Sequence, residues 1–274
     1  MVRSAGARVH TINPSEFGHG ATRNLGASLS CGEYVAFLVQ DALPLNERWL
    51  SAMVEALEHD ERVAGVYGRQ LPRPESSPLT RVLVSGWATA APERRVQSAG
   101  GPAAFRALPP EERLRLAAFD NVSSCVRRSV WEKHPFDRTR FGEDLRWGKK
   151  VVEAGYAVVY EPGSAVLHSH ERGAFYDLRR HYANGKVLLD LFGISPTPNL
   201  PRLALNTLRS TAHLYLRLAR EERAAGGVLR LVVLAAVHAG VGQLGTYLAS
   251  GNRRLAKLSP RLSRAVDAFL GKGV

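Results

Sequence analysis

Sulfur is scarce in this chain. Two cysteines, Cys31 and Cys125, among 274 residues allow at most one bridge and show no metal-ligand spacing, which excludes a disulfide-stapled scaffold and a zinc ribbon. A reducing, cytoplasmic setting is expected. The opening MVRSAGARVH has basic residues without an apolar stretch behind them, so no secretory signal is expected. Internal repeats and low-complexity runs are also missing, which excludes a solenoid or a disordered tail. Acid is missing in one place only. Residues 200–274 hold 3 Asp+Glu against 12 Lys+Arg, whereas residues 1–199 hold 22 against 25. The tail therefore carries +9 of the net +12, a balance that suits nucleic acid, an anionic membrane surface or simple solubility.

What is present is enough for a core. Hydrophobic residues make up 45% of the chain, and at ~150 residues per domain the length predicts one large domain, or one with an appendage. The body alternates strand and helix. Val9 to Ile12 reads as a short strand and Gly18 to Ser30 as a helix; Tyr34 to Val39 is a continuous apolar run of the kind buried on both faces. Trp49, Leu50, Met53, Val54 and Leu57 recur at helical spacing, and Val63 to Tyr67 is a further strand. Residues 71–110 read as connecting structure with a short helix near Leu79 to Trp87. Glu143 to Ala154 reads as a helix with two carboxylates in its first turn and Gly155 beyond its end. Tyr156 to Tyr160 and Ala165 to His168 are strand-like, and Gly173 to Phe192 is helical. This order predicts an α/β fold with a mostly parallel sheet flanked by helices. Pro196, Pro198 and Pro201 mark a boundary, dividing a body of residues 1–195 from a basic helical extension of residues 196–274. In that extension Leu203 to Ala219 reads as an amphipathic helix. Leu231 to Ala249 runs for 19 residues without a formal charge, as a helix packed on the body, one lying in a membrane interface or a membrane span.

Three places carry side chains suited to chemistry. Asp41 ends the run Tyr34-Val-Ala-Phe-Leu-Val-Gln-Asp at the carboxyl edge of a strand, where it either holds a divalent ion or caps a turn. Glu143 and Asp144 follow Gly142 at a helix start, where they serve either as a base with its supporting neighbour or as dipole-favoured caps. His168 and His170, two apart in an extended piece, share a side, either as metal-ligating imidazoles or as one surface and one buried histidine.

Taken in order, the runs Phe17-Gly-His-Gly-Ala-Thr-Arg-Asn-Leu-Gly-Ala, Gly32-Glu-Tyr-Val-Ala-Phe-Leu-Val-Gln-Asp-Ala-Leu-Pro with Trp49-Leu50, Asp120-Asn-Val-Ser-Ser-Cys-Val-Arg-Arg, Gly142-Glu-Asp and Val166-Leu-His-Ser-His resemble inverting family 2 glycosyltransferases, in the branch of the bacterial rhamnosyltransferase-like enzymes. The resemblance covers about residues 7 to 192 and implies a GT-A-like catalytic domain. It implies Asp144 as catalytic base and Glu143 as its neighbour. Asp41 and His168 become ligands of Mg²⁺ or Mn²⁺, with Val39 standing where the family has the first Asp of its Asp-x-Asp motif. Arg23, Asn24 and Gln40 fall on the donor side, and Asn121, Trp147 and His170 on the acceptor side. The donor implied is a dTDP- or UDP-linked sugar, the acceptor a saccharide or a lipid-linked saccharide of the cell envelope, and the place the cytoplasmic membrane face. Two βα units that open the family's fold have no counterpart here, so a truncated sheet with one unpaired strand and weak turnover are expected. A non-catalytic protein working through its basic tail is the competing class. Nucleic acid is not an expected partner, because the tail lacks interleaved aromatics.

Overall fold

The computed structural model describes residues 6–221 and 227–273. Helix α1 (His19–Ser28) leads into strand β1 (Tyr34–Leu38), the two-residue β2 (Leu43–Pro44), α2 (Trp49–Glu58) and β3 (Val63–Leu71). The connection that follows holds α3 (Pro78–Val84), β4 (Arg95–Gln97), α4 (Pro102–Ala107) and α5 (Pro110–Ala117). Strand β5 (Ser123–Arg127), α6 (Arg128–Lys133), α7 (Glu143–Glu153) and β6 (Ala157–Leu167) complete the sheet. Four helices come last: α8 (Ala174–Phe192), α9 (Leu200–Glu221), α10 (Val228–Leu258) and α11 (Pro260–Leu270).

The sheet runs β1-β5-β3-β6-β2, with β4 also on β6. Only β3 and β6 pair in parallel; the pairs β1·β5, β3·β5, β2·β6 and β4·β6 are antiparallel. The expectation of a mostly parallel sheet is corrected accordingly: β1, β3 and β6 point one way, and β5 is inserted against them. Apolar runs read the same in either direction, so the sequence carried no signal for it.

Helices cover both faces of this mixed α/β sheet. Alternation along β3 sends Val66 toward Met53 and Leu57 of α2, and Tyr67 toward the opposite cluster around Trp147, Val151 and Phe119. Strands β5 and β6 divide likewise, Cys125 and Val159 to the α2 side, Val126 and Tyr160 to the α7 side. Both central strands are buried on two faces because every second residue meets a different helix layer.

Three local readings change. Residues 9–12 form no strand, and Val9 is 46% exposed; without a ladder partner among the described residues, its alternation has nothing to bury against. Strand β1 is an edge strand, paired among the described residues only to β5, with Val35 buried but Ala36 and Leu38 exposed, so it is not buried on both faces. The two pieces expected around Tyr156 to His168 are one strand, β6, whose register against β3 shifts between Gly68↔Glu161 and Arg69↔Ala165. Residues 162–164 form the resulting bulge, a device that re-aims a strand end.

Candidate active site

The functional side chains gather where β1, β3 and β6 end and β5 begins. Asp41 follows β1, and Arg73, beyond β3, donates from Nη2 to its backbone oxygen at 2.5 Å. The ladder of β3 and β6 extends one step further, His168 N donating to Leu71 O at 2.9 Å. This places the buried His168 ring with Nδ1 2.9 Å from Oε1 of Gln70, itself 2% exposed. An amide oxygen can only accept, so Nδ1 carries the hydrogen and the Nε2 lone pair is left free. That Nε2 lies 3.7 Å from Asp41 Oδ1 and 3.1 Å from His170 Nε2, which in turn is 3.1 Å from Asp41 Oδ2. The three ligand atoms lie within 4.8 Å of one another. Burial lowers both imidazoles' affinity for protons; His170 adds to this at His168, Arg172 does so at His170, and Asp41 opposes both. Two neutral imidazoles with converging lone pairs and one carboxylate fit a divalent cation.

The second cluster sits at the start of α7. Gly142 takes the left-handed conformation, φ +73°, as the N-cap, which a side-chain-bearing residue adopts only under strain. Behind it, buried Glu143 accepts from Arg23 Nη1 at 2.5 Å, while Arg23 Nη2 donates to the backbone oxygen of Asn121 at 3.3 Å. Asp144, partly exposed, accepts from its neighbour Leu145 N at 2.7 Å. Its pKa is pushed up from 3.8 to about 7, first by burial, then by the charge of Glu143 and that of Asp120; the Leu145 N–H and Arg23 pull the other way. A carboxyl tuned to neutrality is matched to proton abstraction near pH 7.

Asp120 links the clusters. Its charge acts on both Asp144 and His168, and its Oδ1 is held by Val122 N at 2.8 Å, just before β5. The sequence reading passed over Asp120, Gln70 and Arg73, although Asp120 opens one of the runs noted above and Gln70 falls at a strand end beside the histidines.

Several expected site residues have other work. Trp147 is fully buried, stacked near Phe119 and Phe136 with ring centroids 4.6 and 5.4 Å away, and donates to His134 O at 2.8 Å; it forms core, not an acceptor wall. Asn24 is occupied by structure: Oδ1 accepts from Trp131 Nε1 at 2.9 Å and Phe136 N at 3.0 Å, and Nδ2 donates to Phe136 O at 2.9 Å. Arg23 is held by Glu143 and the Asn121 backbone oxygen. His170 stands with Asp41 and His168. Asn121 is buried beside the base cluster, its Oδ1 accepting from Ser124 Oγ at 2.9 Å and its Nδ2 unpartnered among the described residues. Gln40 is exposed at the end of β1.

The chain is similar to known proteins over part of its length. Residues 3–113 match the model of glycosyl transferase family 2. Over this stretch the chain is similar to glycosyl transferase family 2. The O-antigen chain rhamnosyltransferase WbaN of Salmonella anatum is 31% identical over 182 residues, 64% of this chain and 53% of that protein. The O-antigen chain rhamnosyltransferase RfbN of Salmonella typhimurium is 27% identical over 183 residues, 65% of this chain and 54% of that protein. The chain spans about half the length of the curated relatives it matches. Among solved structures, a mannosyltransferase from Pyrobaculum calidifontis, in complex with GDP-Man and Mn²⁺, superposes with a TM-score of 0.37 at 16% identity, over 92% of this chain and 58% of that one.

Proposed function

We propose that the chain transfers a sugar, rhamnose by its relatives, from a dTDP- or UDP-linked donor to a saccharide or lipid-linked acceptor, with inversion at the anomeric carbon. In this reading residues 1–195 form the catalytic body and residues 196–274 an extension that holds it in place. The observation that carries it is the convergence of Asp41, His168 and His170, whose ligand atoms lie within 4.8 Å of one another, together with Asp144 at the start of α7, its proton affinity raised by burial and by Glu143.

Asp41, His168 and His170 would hold a divalent cation, Mg²⁺ or Mn²⁺, which would supply fixed positive charge against a departing diphosphate. Asp144 takes the proton of an acceptor hydroxyl as that oxygen bonds to the anomeric carbon on the face opposite the breaking bond to the diphosphate. The proton stays on Asp144 until solvent removes it. Glu143, paired with Arg23, raises the proton affinity of its neighbour Asp144 through its charge. Gln70 fixes the tautomer of His168, the role outer partners of ligating histidines perform.

The test pairs calorimetry with transfer. Mn²⁺ followed by dTDP- or UDP-sugars should give saturable heats that vanish on His168→Ala, and Asp144→Asn should retain those heats while abolishing transfer of sugar to a saccharide acceptor. Donor heats indifferent to Mn²⁺ and to His168→Ala, or transfer surviving in Asp144→Asn, would sink the assignment.

A further inference from the structure

Among the described residues, α10 is long and apolar enough to cross a membrane by length and composition, with a mean hydropathy of 1.6 over its most apolar window, yet only 22% of that window is buried. The burial divides by face. Leu231, Ala235, Ala239, Gly242, Gly245 and Ala249 are buried, whereas Leu229, Val233, Val237 and Leu244 are exposed at spacings of four, four and seven residues, which repeat one helix face. Helix α9 does the same in miniature, with Leu205, Leu208 and Leu216 exposed and Leu214 and Leu218 buried.

The buried face of α10 is committed to the protein. A Cβ on Gly245 would lie 2.6 Å from the Leu178 oxygen of α8, so the two helices touch backbone to backbone. Polar bonds follow the same line: His238 Nδ1 lies 3.2 Å from Asp177 Oδ2, Thr246 Oγ1 2.9 Å from Thr197 Oγ1, and Asn252 Nδ2 2.6 Å from Tyr182 Oη. A helix bonded in this way along one side cannot be ringed by lipid, since those polar groups would lose their partners in hydrocarbon. The other side, however, is a row of leucine and valine that water gains nothing by wetting.

We propose that α10 and α9 lie flat on an anionic lipid surface, their exposed aliphatic stripes sunk into the headgroup boundary and the chain held as a peripheral protein, not a spanning one. Charge complementarity selects this occupant. Residues 200–274 hold 12 basic groups against 3 acidic ones, and Arg202, Arg209 and Arg230 are exposed on the two helices; a second copy would meet this surplus with like charge, whereas an anionic bilayer neutralises it. An interfacial helix needs this combination of an apolar stripe and flanking cations. The docking also has a direction. Asp177, which His238 of α10 contacts, lies seven residues beyond His170, so the lipid-facing helix is one helix layer, about 10 Å, from the element that follows the cation cluster.

Co-sedimentation of the full chain with phosphatidylcholine vesicles, with and without phosphatidylglycerol, reads the proposal directly and does not depend on transfer activity. Binding should require the anionic lipid and weaken with salt. It should fall at least about tenfold in the triple variant Leu229→Glu, Val233→Glu, Val237→Glu, and roughly fivefold for each of Arg202→Gln and Arg209→Gln. Val96→Glu, placed on a valine exposed on the body, should leave binding unchanged, and circular dichroism of each variant separates lost binding from lost folding. Binding indifferent to phosphatidylglycerol, binding preserved in the folded triple variant, or no vesicle binding together with a dimer that this variant dissolves would each overturn it.

Discussion

Replacing Asp144 by Asn keeps the shape of the side chain and removes its charge, so its effect on stability must depend on pH. In the fold the carboxyl holds its proton up to about pH 7, against 3.8 when unburdened. A raised carboxyl pKa favours the protonated folded state, so the stability from this group is complete below about pH 4 and is lost as pH rises through about 7. At 1.36 kcal/mol per pH unit the rise corresponds to up to about 4 kcal/mol. The asparagine variant has no such loss. Urea unfolding of parent and variant at pH 4 and pH 8.5 cancels every other titrating group, and the variant should gain up to about 4 kcal/mol relative to the parent at the higher pH. A stabilisation this large accompanied by lost transfer is the signature of a residue kept for reactivity at the expense of the fold. A parent–variant difference equal at the two pH values would refute the burial and carboxylate-repulsion argument, and with it the basis for naming Asp144 the base.

Transfer by the parent chain should rise with pH and reach half its maximum near pH 7, since only ionised Asp144 accepts a proton; a kcat/KM profile flat between pH 5.5 and 8 would contradict this. Asn24→Ala strands the buried Trp131 Nε1 and Phe136 N donors and should cost about 2–4 kcal/mol in denaturant titration. Gln70→Ala frees the His168 ring and should weaken Mn²⁺ binding about 10–100-fold by calorimetry without unfolding the chain. Gly245→Ala drives a Cβ into the Leu178 oxygen and should destabilise by about 1–3 kcal/mol. By contrast, Gly240→Ala, where a Cβ would meet nothing within 4 Å, should stabilise by up to about 1 kcal/mol; equal melting temperatures for the two would deny the close helix contact.

The long regular elements were legible because their periodicity has one physical cause. Met53 and Leu57 of α2 pack against Val66 as their spacing implies, and Gly142 before Glu143 announced the start of α7. Asp41 and Asp144 stood out as candidates because the first ends an apolar run and the second opens a helix behind Gly142. Direction was not readable, since Ser123 to Arg127 would bury equally well either way. Nor was the role of an aromatic, because Trp147 at helical spacing looks the same whether it faces a ligand or Phe119. The donor-side role of Asn24 came from the resemblance alone, whereas its amide bonds Trp131 and the Phe136 backbone, contacts more than 100 residues away in the chain. Asp120 and Gln70 were missed because each gains significance only from a neighbour distant in the chain, Asp144 in one case and His168 in the other.

The bulge of β6 makes the placement of the two histidines a matter of parity. Three extra residues between Glu161 and Ala165 are an odd number, so they decide which side of the sheet the end of the strand presents, and they put Val166 opposite Gln70 with His168 on that same side. Loss of any one of Pro162, Gly163 or Ser164 would turn His168 and His170 away together, because residues two apart share a side. Side-chain substitutions along this stretch can therefore adjust the cluster by degrees, whereas a single-codon deletion acts on it as a whole, leaving a sheet that still pairs around a site with its imidazoles facing the wrong layer.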